Sequence, residues 1–365
     1  MAGKVFLPAF GNRPRHIIGR QGVIGNFLDG LNQPIGHPDR TTVIVGQRGT
    51  GKTTLLLEFA ELAEREGFIP VRVAAHKDML TEIIDAIQVR GSKYLKPSKK
   101  QVIGFSAGAA GFSLGISFSQ VAESGYGSRM KMSLLCEELT INNRGVVILV
   151  DEVMPDAEAV RELASIYQQL IGENINISIA MAGLPASMSS VLNDDILTFL
   201  NRANKVYLDP IPYADVYRGY ASEFANQDIS MPDEVLSKLS AAARGYPYLY
   251  QLIGYHVLDL AMGRNLIDDV LANQAIYIAR NKMIDNVFSP VLKPLSSRDK
   301  DFLTAMSEDK EVSNITDIQG RMGVSKGYAQ TYRRRLLEAG IISSPGLGKL
   351  EFAVPYLGEY LRGDF

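Results

Sequence analysis

The chain has 365 residues, 46% of them apolar and 21% charged, with a formal charge of −2. That is the composition of a globular protein with room for about two or three domains, and it excludes any global electrostatic pull toward nucleic acid, so such a pull would have to be local. The single cysteine, Cys136, excludes an intrachain disulfide. With no signal-peptide core at the N-terminus and no run of ~20 apolar residues, the expectation is a cytoplasmic protein without a membrane segment.

In chain order, Thr41–Val45 (TTVIV) predicts a strand and Lys52–Gly67 a helix, with Leu55, Leu56, Phe59, Leu62 and Ala63 at helical spacing. Between them lies GQRGTGKT, Gly46 to Thr53, which matches G-x-x-x-x-G-K-[ST] in the strand–loop–helix context that phosphate binding requires. Gly46, Gly49 and Gly51 let the loop curl, so that backbone N–H groups, including those of Gln47, Arg48 and Thr50, turn inward. Lys52 would reach the β and γ phosphates of ATP, and the Thr53 hydroxyl, followed by Thr54, would bind Mg²⁺.

Phe68–Ala74 predicts a second strand, Asp78–Val89 a helix, Gly145–Val150 (GVVILV) a third strand, Ile175–Met181 a fourth and Lys205–Leu208 a fifth. Strands alternating with helices imply a parallel sheet covered on both faces, an α/β core. Residues 92–127 interrupt the alternation. Phe112, Leu114, Ile116 and Phe118 alternate there with small polar residues, a strand signal with Val102–Phe105 as its partner. A surface hairpin and a partner- or DNA-contacting loop are both open readings. The third strand runs into Asp151 and Glu152. Acids at the carboxyl end of a strand, downstream of a phosphate loop, fit a Mg²⁺-holding aspartate and a water-polarising glutamate.

From Tyr213 the periodicity is all helical: Tyr213–Asn226, Asp233–Arg244, Tyr248–Met262 and Asp268–Val287. A Pro-containing linker, SPVLKPLSS, leads to a separate unit from Arg298. There Val312–Gly323 predicts a helix capped by Ser313, Val324 to Lys326 a turn, and Gly327–Ala339 a second helix stopped by Gly340. IISSPGLGKLEFAVP then predicts two strands about the turn PGLG. On the second helix Tyr328, Ala329, Tyr332 and Leu336 share an inward face. Gln330, Thr331 and Arg334 point away, flanked by Arg333 and Arg335, with Lys326 at the start, as a recognition helix would offer itself to double-stranded DNA. A protein-contacting surface is the alternative.

These features together resemble the AAA+ superfamily, in the branch shared by origin-recognition initiators and STAND-type ATPases. Supporting the resemblance are the phosphate loop, the acid pair, IIGR (Ile17 to Arg20) ahead of the core, and Gly245-Tyr246-Pro247 in the helical region. It implies a nucleotide-binding domain over residues 1–210, an all-α lid over 211–291 and a winged helix over 292–365. It further implies that Ile18, Gly19, Arg20 and Pro247 lie about the nucleotide, that Arg244 is a second sensor and that Arg202 is an arginine finger completing a neighbour's site. Each arginine has an alternative as a surface residue. In one respect the chain departs from the pattern: the fourth strand ends in AMAGLP rather than in a polar first sensor, which points to slow hydrolysis. The expectation is an ATPase whose ATP state controls assembly on DNA, as a homo-oligomer or with a protein partner; a nucleotide switch acting on a protein is the alternative. A metabolic kinase is disfavoured, since no acceptor site stands beside the lid.

Overall fold

In the computed structural model, residues 5–8, 14–95, 118–154, 158–194 and 197–365 are described, with position 198 as backbone alone. Five parallel strands form the central sheet: β1 (Thr41–Gly46), β2 (Phe68–Ala74), β3 (Gly145–Val153), β4 (Ile177–Gly183) and β5 (Asn204–Leu208), in the order β2-β3-β4-β1-β5. Every residue of β1 and β4 is buried, as strands covered on both faces must be. Packed about the sheet are α1 (Gln21–Leu31), α2 (Lys52–Arg65), α3 (Met79–Gly91), α4 (Ser128–Ile141), α5 (Glu158–Gly172) and α6 (Pro185–Leu192). On one face, the Phe27 and Phe59 rings stack at 3.8 Å between α1 and α2. Cys136 lies in the core on the other face, with burial pushing its thiol up to about 12.

The expected hairpin at 102–105 and 112–117 lies outside the described residues. Its last expected strand positions do not extend the strand: Phe118–Gln120 form a short 3₁₀ turn with Phe118 buried against the core. The third strand is longer than its apolar run, because a bulge between Val150 and Val153 carries it through Asp151 and Glu152.

The helical region contains α7 (Tyr213–Ala225), α8 (Asp233–Ala242), α9 (Pro247–Ala261) and α10 (Asp269–Met283). Its core gathers Tyr220, Phe224 and Tyr250 with Val5 and Phe6 of the N-terminal segment. The linker expected after Val287 is instead mostly helical. A π turn over Ile284–Phe288 passes directly into α11 (Ser289–Leu292), since Pro290 sits in the first turn, where its missing N–H costs nothing.

The C-terminal unit has α12 (Ser297–Ser307), β6 (Ser313–Asn314), α13 (Ile315–Met322), α14 (Lys326–Glu338), the hairpin β7 (Ile342–Gly346) and β8 (Lys349–Phe352), and α15 (Leu357–Arg362). Its antiparallel sheet has the order β6-β8-β7. Two expectations are corrected here. Ser313 is no helix cap: it is buried in β6 and its hydroxyl donates to the Met306 carbonyl. The helix therefore starts at Ile315, behind Asn314. The hairpin turns at Leu347-Gly348, within PGLG as expected, with Gly346 paired to Lys349. Nor is the unit separate. Tyr246 and Leu249 of the helical region belong to its hydrophobic core, and the Tyr356 hydroxyl donates to the Ala242 carbonyl.

Candidate nucleotide-binding site

Because β1 and β3 flank β4, the phosphate loop after β1 and the acids of β3 emerge at the same, carboxyl-terminal edge of the sheet, where ligands of open parallel sheets bind. A cleft of about 850 Å³ opens there. Its floor is Arg48 to Thr54, one wall is Asp151 and Glu152, and the rest comes from the N-terminal segment, the ends of β4 and β5, the start of α6 and the helical region.

The loop's shape follows from its glycines. Gly49 and Gly51 have φ of +75° and +93°, a region that residues with a Cβ rarely enter. At Gly49 a Cβ would also fall 1.9 Å from the Tyr246 hydroxyl oxygen, which lies directly over the loop. Gly51 caps α2 without a side chain, so the first N–H groups of the helix stay open to the cleft. Lys52 folds across the loop and its Nζ donates to the carbonyls of Gly46 and Gln47, both at 2.8 Å. Burial holds its ammonium down to about 8; Asp151 opposes that shift and Arg48 adds to it.

The Thr53 hydroxyl donates to Asp151 Oδ2 at 2.6 Å, and Asp151 Oδ1 accepts from the Glu152 N–H at 2.9 Å. The bulge gives Glu152 a φ of +54° and turns its exposed side chain off the strand into the cleft. Positive φ in a residue with a Cβ is strained and is found disproportionately at functional sites. The hydroxyl–carboxylate pair is a set of hard oxygens suited to Mg²⁺, which takes one or two protein ligands and completes its shell from phosphates and water.

Ile17, Ile18 and Arg20 line the cleft. Gly19 has φ +66°, and a Cβ there would meet Ile211 at 2.7 Å. Arg20 donates to the Asp209 carbonyl at 2.6 Å and, with burial lowering its pKa, ties the IIGR segment to the end of β5. Pro247 also lines the cleft. Gly46 and Gln47 line a second cleft instead, of about 620 Å³, behind the loop.

Two arginines stand elsewhere. Arg244 has left-handed backbone (φ +48°), pairs with Glu359 at 2.5 Å and stacks over the Tyr356 ring at 3.7 Å. It faces the C-terminal unit and lines the second cleft rather than the first. Arg202 is exposed just before β5, beside Asn204, which pairs with Thr42 at the start of β1. It is therefore at the opposite end of the sheet from the loop.

The end of β4 brings Gly183 and Leu184 to the cleft, and Ser187, in the first turn of α6, is the polar residue nearest along the chain that also lines it. Motif reading passed over Ser187, Tyr246, Tyr250 and Gln251. The signal for Tyr246 was present: a residue before proline is held extended, and Tyr246, with φ −90° and ψ 113°, leads α9 from over the loop.

On α14, Ala329 and Leu336 are buried and Tyr332 is half-buried, but Tyr328 is exposed. The inward face is thus narrower than expected, and Tyr328 and Tyr332 instead share a hydroxyl contact at the surface. Arg335 is drawn back to the buried Asp299 at 3.0 Å, and Arg333 donates to Ser344 of the hairpin at 3.3 Å. Lys326, Thr331 and Arg334 are exposed and Gln330 is half-buried. No helix among the described residues is long and apolar enough to cross a membrane.

Residues 36–192 match the AAA domain family, and residues 285–361 match a domain of unknown function, DUF8462. No curated protein matches the chain. Among solved structures the chain is similar to a Walker-type ATPase of Pyrococcus abyssi, with 16% identity, coverage of 96% of this chain and 97% of that one, and a TM-score of 0.67. It is similar to the Aeropyrum pernix ORC2 protein in its ADPNP–ADP complexes, with 15% identity, 97% and 94% coverage and a TM-score of 0.63. It is also similar to Cdc6p from Pyrobaculum aerophilum, with 16% identity, 98% and 96% coverage and a TM-score of 0.51. At such identities the likeness is one of fold.

Proposed function

We propose that this chain, an AAA+ P-loop ATPase of the origin-recognition-like branch, binds ATP with Mg²⁺ and uses binding and slow hydrolysis to control its assembly on DNA. One observation carries the nucleotide half: the loop lysine, the Thr53–Asp151 pair and Glu152 share one cleft. The N–H groups at the start of α2 and Lys52 hold the phosphates. Thr53 and Asp151 would hold Mg²⁺, which would supply neutralisation of the charge building on the phosphates. Glu152 takes a proton from water as that water attacks the γ-phosphorus and the bond from it to the β–γ bridging oxygen breaks, releasing ADP. Slow turnover follows from the apolar end of β4, after which Ser187 is the first hydroxyl along the chain that lines the cleft.

The DNA half rests on the C-terminal unit, which we read as a winged helix, with α14 as its recognition helix and β7–β8 as its wing. Lys326, Gln330, Thr331 and Arg334 are the residues left to face DNA. We read Arg202, exposed and remote from its own cleft, as the residue that completes a neighbour's site in a homo-oligomer.

The test is binding of the full chain to labelled duplex at low salt, with and without ATP and Mg²⁺, with the mass followed in solution. The proposal expects tighter DNA binding or a larger assembly in one nucleotide state. ATP binding with no DNA affinity in either state would sink the DNA half and leave the nucleotide half standing.

A further inference from the structure

The phosphate loop touches more than its own cleft. Arg48, inside the loop, donates from Nε to the Ala339 carbonyl at 3.1 Å. Ala339 is the C-cap residue, directly after the last residue of α14. Gly340 and Ile341 close that end, their N–H groups bonding to the carbonyls of Leu337 and Leu336. The Ala339 carbonyl is left over, at the negative end of the helix, where a cation is favoured. Gly340 itself (φ +65°) approaches the nucleotide-binding domain so closely that a Cβ would lie 2.9 Å from Leu184 and 3.3 Å from Gln47 Oε1. That Gln47 oxygen is buried without a partner in this seat, and α14 packs on α6 beside it. Arg48 also lines the nucleotide cleft.

We infer that Arg48 is a coupling residue, which holds the carboxyl end of α14 on the phosphate loop and lets go of it when the loop takes a triphosphate. The inference rests on the nucleotide reading above. A guanidinium has one position at a time, and a triphosphate is a far stronger partner for it than a single carbonyl. Drawing Arg48 into the cleft removes the bond to Ala339 and loosens the seat. By reciprocity, loosening the seat from elsewhere must strengthen nucleotide binding. The Arg244–Glu359 pair, which fastens the C-terminal unit to the helical region without touching the nucleotide cleft, is the handle for doing so.

Amide hydrogen exchange of the full chain over residues 336–341 tests this, with ATP-analogue binding followed by calorimetry in the same samples. In the parent, exchange there should quicken about fivefold or more at saturating analogue and Mg²⁺. Arg48→Ala should exchange at the fast rate with or without nucleotide. Glu359→Ala should tighten nucleotide binding severalfold in the parent background and not at all alongside Arg48→Ala. If nucleotide binds and exchange stays the same, or if Arg48→Ala responds as the parent does, the coupling is overturned. If nucleotide does not bind at all, the functional reading falls. The nucleotide-free comparison then decides the seat by itself, and equal protection in parent and Arg48→Ala overturns it.

Discussion

The phosphate loop and helix α14 are both short segments dense in polar and basic residues, yet their side chains have different fates. In the loop, Lys52 and Thr53 stay with the cleft, held by backbone carbonyls and by Asp151. On α14, two of the three consecutive arginines turn back into their own unit, Arg335 to Asp299 and Arg333 to Ser344. The difference is one of reach. A lysine at the first turn of a helix, behind a glycine loop, has its surroundings dictated by backbone geometry. A long arginine on a helix surface takes the best partner within several ångströms, and tertiary packing supplies that partner.

The comparison breaks most visibly at the acid pair. Glu152→Gln keeps shape but cannot accept a proton, so turnover should fall by roughly 10² to 10⁴ while ATP affinity is retained. Unchanged steady-state phosphate release would remove Glu152 from the chemistry and turn attention to Ser187. Lys52→Ala comes next. Losing a charge-assisted contact to phosphate should weaken ATP binding by roughly 10- to 100-fold, with the thermal midpoint preserved, since the lysine bridges only loop carbonyls. Calorimetry giving equal affinity would mean that the loop is not a phosphate site.

On α14 the same logic separates neighbours. Arg335→Ala strips a partner from Asp299, which is 1% exposed and has one oxygen with no hydrogen bond. Stability should drop by about 1–2 kcal/mol in urea unfolding, the half-exposed arginine keeping the loss below that of a fully buried pair. Arg334→Ala should leave stability unchanged and lower the slope of log DNA affinity against log salt by about one. A slope change of about three on replacing all three arginines would mean that Arg333 and Arg335 leave their partners for DNA.

Most of the fold was legible for the same reason the loop was. β2 and α7 fall within a residue of their predicted bounds, because periodicity and turn residues are local. The acid pair was legible as the end of the third strand beside the loop, but its bulge was not, since nothing in VVILVDEV marks the residue that leaves the ladder. Arg244 was read by its neighbour Gly245-Tyr246-Pro247 as a nucleotide contact. The structure turns it to Glu359, which lies over a hundred residues away in sequence and so carries no local signal. The linker was misread because proline breaks a helix in its interior yet fits its first turn. The contact of Arg48 with α14 likewise had no signature, as it joins segments nearly three hundred residues apart.

The smallest expected effect concerns protons. Burial holds Lys52 down to about 8, against 10.5 for a free lysine. Well below pH 8 the free protein carries the Lys52 proton, and so does the complex, so binding ATP moves little proton at this group, about a quarter of one at pH 7.5. Above 8 the free protein has lost it, while bound phosphates favour the charged form and pull the pKa back up. Between pH 8 and 10.5 binding should therefore take up as much as about one proton, and affinity should fall as pH rises. Calorimetry at pH 7.5 and 9 in two buffers of different ionisation enthalpy measures the uptake directly. Lys52→Arg provides the control, because a guanidinium keeps its charge across this range and the uptake should vanish. If the parent takes up no proton at pH 9 while still binding ATP, the depressed ammonium is overturned, and the affinity of Lys52→Ala then decides whether the lysine meets the phosphates at all.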